Sequence, residues 1–155
     1  MPIRRYTSAD ASAVGDIFRR AIAVIGARDY TPAQVAAWAG PEGTAERLGA
    51  RLRDGRLALV ATDGDDRVLA FGDLEADGHI DFLYAAPEAA GTGVVSVLYD
   101  ALEAAARERG VVRLYTEASE AARRFFLKKG FTVLHRRDFE VRGVPIHNYA
   151  MAKAL

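Results

Sequence analysis

Residues 83–96 read Leu-Tyr-Ala-Ala-Pro-Glu-Ala-Ala-Gly-Thr-Gly-Val-Val-Ser: a short apolar run, a turn with two glycines and the start of a helical pattern. The first N–H groups of a helix have no partner within the helix, and the helix dipole is positive at that end. Such a terminus binds phosphate without a charged side chain. Gly91 and Gly93 carry no Cβ, so a phosphate group can approach their amides closely. The stretch predicts a strand, an anion-binding loop and a helix.

Two other phosphate-binding motifs do not fit this loop. A Walker loop is excluded because no Gly-Lys-Ser/Thr follows the glycines. A dinucleotide-binding fingerprint needs a third glycine and an early βαβ unit, whereas helices and a hairpin are predicted to precede this loop. Taken alone, the two glycines leave open the alternative of a plain turn before a helix.

The rest of the chain predicts a mixed α/β domain. At 31–34, Thr-Pro-Ala-Gln combines an N-cap threonine, a proline at the first helical position and a glutamine that closes a capping box. A long helix separates strands 79–85 and 113–118, which predicts parallel neighbours with a right-handed crossover and helices on both faces of the sheet. Helices are predicted after Thr7 or Ser8, from Thr31, over 44–53, from Gly93 to Arg109 and over 121–129, and strands over 2–6, 57–62, 68–75, 79–85, 113–118, 132–141 and 144–152.

Composition excludes several classes of protein. The 155 residues, half of them apolar, suit one domain spanning 1–155. Without cysteine there is no thiol nucleophile, thiolate metal site or disulfide framework, and the three histidines show no metal-binding spacing. Zero net charge makes nucleic acid a poor partner. The apolar run 21–27 is too short to span a bilayer, so we expect no membrane association and a cytoplasmic location.

Two longer segments resemble the GNAT superfamily of N-acetyltransferases. They are residues 84–98, YAAPEAAGTGVVSVL, and residues 118–131, ASEAARRFFLKKGF. The resemblance covers nearly the whole chain, and segments 30–39 and 143–151 look like a poorly characterised bacterial branch. It implies a mixed, mostly antiparallel sheet of about seven strands with a central splayed parallel pair and helices on both faces. It also implies acetyl-CoA as co-substrate and no metal.

The resemblance implies where the co-substrate binds. In this family the pantetheine arm lies between two splayed parallel strands and pairs with the backbone of the first, while the pyrophosphate contacts amides of the loop and helix start. A second strand and the helix after it complete the site. The matching residues here are Leu83, Tyr84 and Ala85 on the first strand, Ala90, Gly91, Thr92, Gly93, Val94, Val95 and Ser96 in the loop and helix start, and Ser119, Phe126 and Lys129 beyond the second strand.

Three positions depart from the family pattern. Glutamine or arginine is common where Ala90 stands, and glycine or alanine where Val95 stands, while Glu88 adds a nearby negative charge. The helix terminus and outside cations would then have to balance the diphosphate. Many members carry a tyrosine in place of Phe126 and use its hydroxyl to protonate the leaving thiolate, which phenylalanine cannot do. The candidate outside cations are Arg123, Arg124, Lys128 and Lys129.

Strand parity gives the candidate catalytic residues. Side chains alternate along a strand, so His79 and Asp81 share a face of the co-substrate strand, and Glu117 shares a face with Ser119. Attack on a thioester needs an unprotonated amine, so we predict Asp81 as the general base or amine-binding anion, with Glu117 as second candidate. For each carboxylate the alternative is an exposed or turn-capping role.

The predicted activity is transfer of an acetyl group from acetyl-CoA to a primary amine by direct attack, without a covalent intermediate. The acceptor is a small molecule or a peptide, and Tyr30, Trp38 and His147 are candidates for its pocket, although core packing also explains the first two. Many relatives dimerise, which makes a homodimer an option. The alternatives are a catalytically weak GNAT-like module that binds acyl-CoA or a regulatory ligand, and a nucleotide-binding protein of another fold.

Overall fold

The computed structural model describes residues 1–155, apart from the side chain of Glu42. Within these residues the predicted and observed bounds agree to within two residues, except in the strand predicted over 79–85 and at the start of the first helix, where a 3-10 turn at Ser8–Asp10 precedes α1. In chain order the elements are β1 (Ile3–Arg5), α1 (Ala11–Val24), α2 (Pro32–Ala39), α3 (Ala45–Leu52), β2 (Leu57–Thr62), β3 (Val68–Leu74), β4 (Leu83–Ala85), α4 (Val94–Glu108), β5 (Arg113–Ala118), α5 (Glu120–Lys128), β6 (Thr132–Val141) and β7 (Val144–Ala154).

Local capping explains where two helices begin. At α2, the Thr31 hydroxyl accepts the Gln34 amide at 3.2 Å, and the Gln34 side chain accepts the Thr31 amide at 2.9 Å. Pro32 occupies the first helical position, where its missing N–H costs nothing. At α5, the Ser119 hydroxyl accepts the Ala122 amide at 3.3 Å. Both caps satisfy amides that would otherwise lack a partner.

The strands form two antiparallel sheets, one in the order β1-β2-β3-β4 and the other in the order β5-β7-β6. The first sheet is covered on both faces, by α1 and by α4. Phe71 on β3 stacks with Tyr84 on β4, and the rings of Tyr84 and Phe18 of α1 meet edge to face. The adjacent Gly72 points the other way, and a Cβ there would come within 3.1 Å of Leu102 on α4. This glycine therefore allows α4 to approach the sheet closely.

The two sheets meet at a single parallel bridge between His79 and Tyr115. Around it, the Ile80 amide donates to the Tyr115 carbonyl at 2.9 Å, and the Tyr115 amide donates to the Gly78 carbonyl at 3.1 Å. Beyond the bridge, β4 pairs only with β3, and β5 pairs with β7. The sheets separate from this point, and the gap between β4 and β5 becomes a cavity.

The prediction of a continuous strand over 79–85 is wrong at its N-terminal end. The buried Asp73 carboxylate accepts the amides of Asp81 and Phe82 through Oδ1, at 2.9 and 2.6 Å. Because a side chain takes these amides, the backbone leaves the ladder, and β4 begins only at Leu83. Sequence patterns do not reveal a buried aspartate that competes with a neighbouring strand.

Among the described residues, no helix is long and apolar enough to cross a membrane.

Candidate active site

The cavity between the separating sheets has a volume of about 460 Å³. Its walls come from the β4 and β5 strands, the loop before α4, the first turns of α5, the end of α1 with the segment after it, the end of α2 at Trp38 and the β6–β7 hairpin. Side chains from seven separate parts of the chain thus converge on one space. The wall from β4 to α5 is called the donor end below, and the wall from α2 and the hairpin is called the acceptor end.

The glycine loop presents open backbone amides at the donor end. Gly91 and Gly93 have φ of 78° and 87°, in the left-handed region that favours glycine. A Cβ built at either position meets nothing within 4 Å, so the space in front of the loop is free. Gly93 is the N-cap of α4, and its carbonyl accepts the Val97 amide at 3.1 Å. The amides of residues 94–96 belong to the first turn, which has no intrahelical acceptor for them.

The predicted loop residues divide into two groups. Ala90, Gly91 and Val95 line the cavity. Thr92 closes the turn instead, since its hydroxyl donates to the Ala89 carbonyl at 2.5 Å. Gly93 and Ser96 lie outside the cavity wall, and the Val94 side chain is buried in the core.

The β4 strand offers a free backbone edge to the cavity. Asp73 donates its amide to the Phe82 carbonyl at 3.1 Å, and Ala86 donates to the Leu69 carbonyl at 2.9 Å, so even-numbered residues of this segment face β3. Backbone groups alternate along a strand, so Leu83 and Ala85 turn theirs toward the gap. Leu83, Tyr84 and Ala85 all line the cavity, as predicted for the first strand.

On the opposite wall, Ser119 and Phe126 line the cavity and Lys129 does not. Phe126 is buried, with its ring 4.7 Å from that of Phe131. Lys129 points to α4, where its ammonium donates to the Ser96 hydroxyl at 2.6 Å and pairs with Asp100 at 2.8 Å. Lys129 thus joins the end of α5 to α4.

Of the four outside cations expected to balance a diphosphate, three have carboxylate partners, namely Arg123, Arg124 and Lys129, and Lys128 is exposed. Arg124 pairs with Asp29 at 2.9 Å, and Arg123 pairs with Glu120 at 3.3 Å. The cation that does reach the loop is Arg20 of α1. It forms a two-pronged pair with Glu88, at 2.7 and 3.1 Å, which holds the pKa of that carboxyl at about 2.

Sequence reasoning missed Arg20 because 68 residues separate it from Glu88. Its neighbour Ala21 lines the same cavity as Ala90, which places the Arg20–Glu88 pair at the cavity rim.

Of the two predicted catalytic carboxylates, Asp81 lines the cavity but is bound by two guanidinium groups. Its Oδ2 pairs with Arg51 and, at 3.0 Å, with Arg56. Arg56 also pairs with the fully buried Asp73 at 2.6 Å. Burial raises the pKa of Asp73 to about 6, although hydrogen bonds from the Phe82 amide and Arg56 act in the opposite direction. Asp81 is therefore part of a charged network that anchors the end of β3.

Glu117 also lines the cavity, and its partner is a histidine. The His79 ring donates from Nε2 to Glu117 at 2.8 Å and from Nδ1 to Glu75 at 2.7 Å, and it stacks on Tyr115. The hydrogen bond with Glu117, helped by Glu75, raises the pKa of His79 to about 9 despite its burial. The same bond lowers the pKa of Glu117. These shifts favour an imidazolium paired with a carboxylate at neutral pH, and Glu117 is the member of the pair that lines the cavity.

Sequence parity identified His79 and Glu117 separately, and the crossover rule predicted that their strands are neighbours. The distance between them follows from the single parallel bridge. Arg56 carried no comparable signal, because it lies in a turn before β2 and meets its partners only in the folded chain.

The acceptor end contains all three residues predicted for a substrate pocket. Tyr30 and Trp38 meet edge to face with ring centroids 5.4 Å apart, and the His147 ring lies 5.3 Å from Tyr30. The Tyr30 hydroxyl donates to the His147 carbonyl at 3.0 Å and accepts the Glu120 amide at 3.1 Å. His147 Nε2 bonds Glu120 at 2.8 Å. These bonds give Tyr30 a structural role in addition to its place on the wall.

Within the described residues, no group of three or more histidine, aspartate or glutamate side chains is arranged to hold a metal ion.

An open-amide loop before a helix, beside a gap between two strands, defines a domain built to hold a phosphate-bearing ligand along a strand edge. The family model described as acetyltransferase (GNAT) domain matches residues 26–153, so the chain belongs to the GNAT family of acetyltransferases. The family predicted from residues 84–98 and 118–131 is thereby confirmed.

Particular relatives agree with this assignment. The uncharacterized N-acetyltransferase YafP of Escherichia coli is 30% identical over 149 residues, which cover 96% of this chain and 93% of that protein. The crystal structure of a GCN5-related N-acetyltransferase from Rhodopseudomonas palustris is 35% identical, with a TM-score of 0.92 over 99% of this chain and 95% of that one. The PaiA N-acetyltransferase from Thermoplasma acidophilum, crystallised with coenzyme A, shares the fold at 18% identity, with a TM-score of 0.79 and coverage of 99% and 98%.

Proposed function

We propose that this protein transfers an acetyl group from acetyl-CoA to a primary amine by direct attack of the amine on the thioester. The observation that carries the proposal is the glycine loop before α4, which adjoins a cavity along the open edge of β4. A Cβ at Gly91 or Gly93 would meet nothing within 4 Å, and the first-turn amides of residues 94–96 have no intrahelical acceptor. A structural neighbour, PaiA from Thermoplasma acidophilum, binds coenzyme A. This supports coenzyme A as the ligand of the loop.

The residues present fit such a ligand. Amides at the start of α4 would hold the pyrophosphate, in front of Gly91 and Gly93 where no Cβ intrudes. The backbone groups of Leu83 and Ala85 would pair with the amides of the pantetheine arm. Arg20 pairs with Asp16 and Glu88 near the loop, so it would add the positive charge that Ala90 does not supply by exchanging a carboxylate partner for the phosphate. Bound acetyl-CoA would supply an activated acetyl thioester between β4 and β5.

Direct attack is supported by the engagement of the hydroxyls of Thr116 and Ser119 on the wall in backbone hydrogen bonds. The chain contains no cysteine. The Ser119 hydroxyl accepts the Ala122 amide as a helix cap, so it has a structural task and is not activated by a neighbouring base. Before the step the ammonium loses one proton to water and becomes the free amine. In the proposed step the C–N bond forms, the C–S bond breaks, the nitrogen loses a second proton to water, and the leaving thiolate gains a proton.

Glu117 is the carboxylate best placed to receive the acceptor amine. The His79 imidazolium keeps Glu117 ionised, so it can bind an ammonium group and order the water that takes its proton. Asp81 is bound by Arg51 and Arg56, and a proton acceptor there would have to break two ion pairs. We assign Glu117 the amine-binding role and Asp81 a supporting one.

The leaving thiolate has no side-chain acid at Phe126. The nearby Tyr99 ring lies 6.1 Å from Phe126, but its hydroxyl donates to Glu103 at 2.7 Å. Burial together with this bond raises the pKa of Tyr99, which makes it a poor proton donor. The thiolate is expected to take its proton from water. Turnover should therefore be slow with an acyl donor whose thiolate is a poor leaving group.

The test is release of free coenzyme A thiol from acetyl-CoA in the presence of primary amines, with calorimetric titration of coenzyme A alongside. Amine-dependent thiol release together with binding heat supports the proposal. Binding heat without release from any amine would instead support the second candidate, a GNAT-like binding module, which the alanine at 90 and the phenylalanine at 126 favour. Absence of binding heat would contradict both.

A further inference from the structure

The acceptor end of the cavity is mostly aromatic and aliphatic. Tyr30 and Trp38 form one side, and Phe139, Val141 and Ile146 of the hairpin form the other. Two side-chain bonds to backbone join these sides: Tyr30 donates to His147, and Gln34 of α2 donates to the Pro145 carbonyl at 3.0 Å. This wall is therefore a preformed apolar surface and not a gap between mobile segments.

The described lining of the cavity includes no lysine or arginine. Arg137 is the nearest cation of the hairpin, and it is turned to the Asn148 side-chain oxygen at 2.9 Å and to the face of the Phe139 ring. An acceptor that carries a carboxylate or phosphate would have to bury that charge without a lysine or arginine partner, and the lining histidine, His147, is already bonded to Glu120. Burial of such a charge is unfavourable unless the charge is paired.

The three acidic side chains of the lining all have cations of their own. Asp29 pairs with Arg124, Asp81 with Arg51 and Arg56, and Glu117 with His79. His79 and Arg56 are shared with further carboxylates, so the connected network holds more acids than cations. Its carboxylates are Asp54, Asp73, Glu75, Asp81 and Glu117, and its cations are Arg51, Arg56 and His79.

With five carboxylates and three cations, and with Arg137 acting on Glu117 from β6, the network favours one additional positive charge. One ammonium group at Glu117 satisfies this imbalance. A second ammonium further into the acceptor end would meet the apolar wall and the already paired Asp29. Polycationic acceptors therefore gain little from a second charge and must desolvate it.

We infer that the acceptor is a primary amine carried on an aromatic or branched aliphatic body, with one positive charge and no carboxylate or phosphate. This inference rests on the proposed acetyl transfer, because it names the acceptor of that same site. The ammonium contacts Glu117, and the apolar body lies against Tyr30, Trp38 and the hairpin.

The experiment measures kcat/KM for thiol release with the full-length protein, saturating acetyl-CoA and five probes. Phenethylamine and 3-methylbutylamine have the inferred chemistry. Phenylalanine adds a carboxylate to the same aromatic body, spermidine is a polycation, and a short lysine-containing peptide presents a flexible amine. We expect kcat/KM for phenethylamine to exceed that for phenylalanine and spermidine by about tenfold or more.

Preference for phenylalanine, spermidine or the peptide would overturn the inference while leaving acetyl transfer intact. Lack of transfer to every probe, with acetyl-CoA still giving binding heat, would overturn it as well. Lack of binding heat with acetyl-CoA would refute the proposed function itself, so the two failures are distinguishable.

Two variants test the wall directly. Trp38→Ala should raise KM for phenethylamine about fivefold or more while KM for acetyl-CoA stays unchanged, and Trp38→Phe should retain most of the affinity. Val141→Arg adds a cation to the wall and should shift the ratio of phenylalanine to phenethylamine turnover toward phenylalanine. An unchanged ratio in a Val141→Arg protein with normal acetyl-CoA binding would contradict the inferred position of the acceptor body.

Discussion

The two ends of the cavity present different chemical groups, backbone at one end and side chains at the other. The donor end presents backbone: amides in front of Gly91 and Gly93 and the open edge of β4. The acceptor end presents side chains from α2 and the β6–β7 hairpin. The ion pair of His79 and Glu117 belongs to the same site. Backbone can recognise the same ligand in many sequences, whereas side chains vary easily. A family can therefore keep one donor while its members differ in acceptor.

The largest expected effect comes from placing a charge at the donor end. Gly93→Asp should weaken coenzyme A binding about a hundredfold or more, because a carboxylate would lie beside the amides that we propose bind the pyrophosphate. Gly93→Asn is the matched control, since asparagine has similar size and tolerates the left-handed conformation but has no charge. Calorimetry of both variants separates charge from backbone strain. Equal affinities of the two variants for coenzyme A would show that the pyrophosphate does not bind at this loop.

The next effect concerns the carboxylates between the two ends. Glu117→Gln should lower kcat/KM for the amine by on the order of a hundredfold, with little change in coenzyme A affinity, because the amine loses its anion. Asp81→Asn should lower it less, since Asp81 acts through Arg51 and Arg56. Steady-state kinetics of the two variants at one pH make the comparison. A larger loss in Asp81→Asn would return the main role to Asp81.

A third effect appears in stability as a function of pH. His79 has a pKa raised from 6.5 to about 9, so its contribution to folding is fully present below pH 6.5 and is lost as pH rises through 9. Because some 14% of the side chain is exposed, we expect a loss of about 2 kcal/mol between pH 6.5 and 9.5.

Urea denaturation of the wild-type protein and His79→Gln at these two pH values measures this loss. The stability difference between the two proteins should shrink at the higher pH. A constant difference would show that His79 is not an imidazolium in the folded protein.

The smallest effect concerns Arg20 at the rim of the donor end. Arg20→Ala should weaken coenzyme A binding about three- to tenfold, and less at high salt, while stability changes by less than about 1 kcal/mol because the Glu88 pair is exposed. Pantetheine, which has no pyrophosphate, should bind both proteins equally. Glu88→Gln leaves Arg20 in place and should bind coenzyme A at least as well as wild type. Equal loss of pantetheine affinity would point to a distorted cavity.

The difference between the two ends also decides what could be predicted from sequence. The donor end is local: a strand, two glycines and a helix start lie within residues 83–96, and their order in the chain matches their order in space. Element bounds were predictable for the same reason, because caps such as Thr31 and Ser119 act over three residues. The partners of Asp81 and Glu88 lie 25 to 68 residues away, and no pattern of spacing pairs them.

The same reason explains the error in β4. The segment after Asp77-Gly78 has the composition of a strand, but Asp73 on the neighbouring strand takes the amides of residues 81 and 82. The sequence shows an aspartate within an apolar strand. It does not show that the side chain is buried or that it accepts the amides of residues 81 and 82, because both depend on how the strands pack together.

The single bridge between His79 and Tyr115 is the one place where the described strands of the two sheets pair, and the sheets are separate beyond it. A ligand that lies along Leu83 and Ala85 would connect the two sheets where they do not pair with each other. Hydrogen exchange at these two amides should therefore slow on loading with coenzyme A, and the two sheets should then unfold together at a higher temperature. In that sense the donor would complete the architecture that receives it.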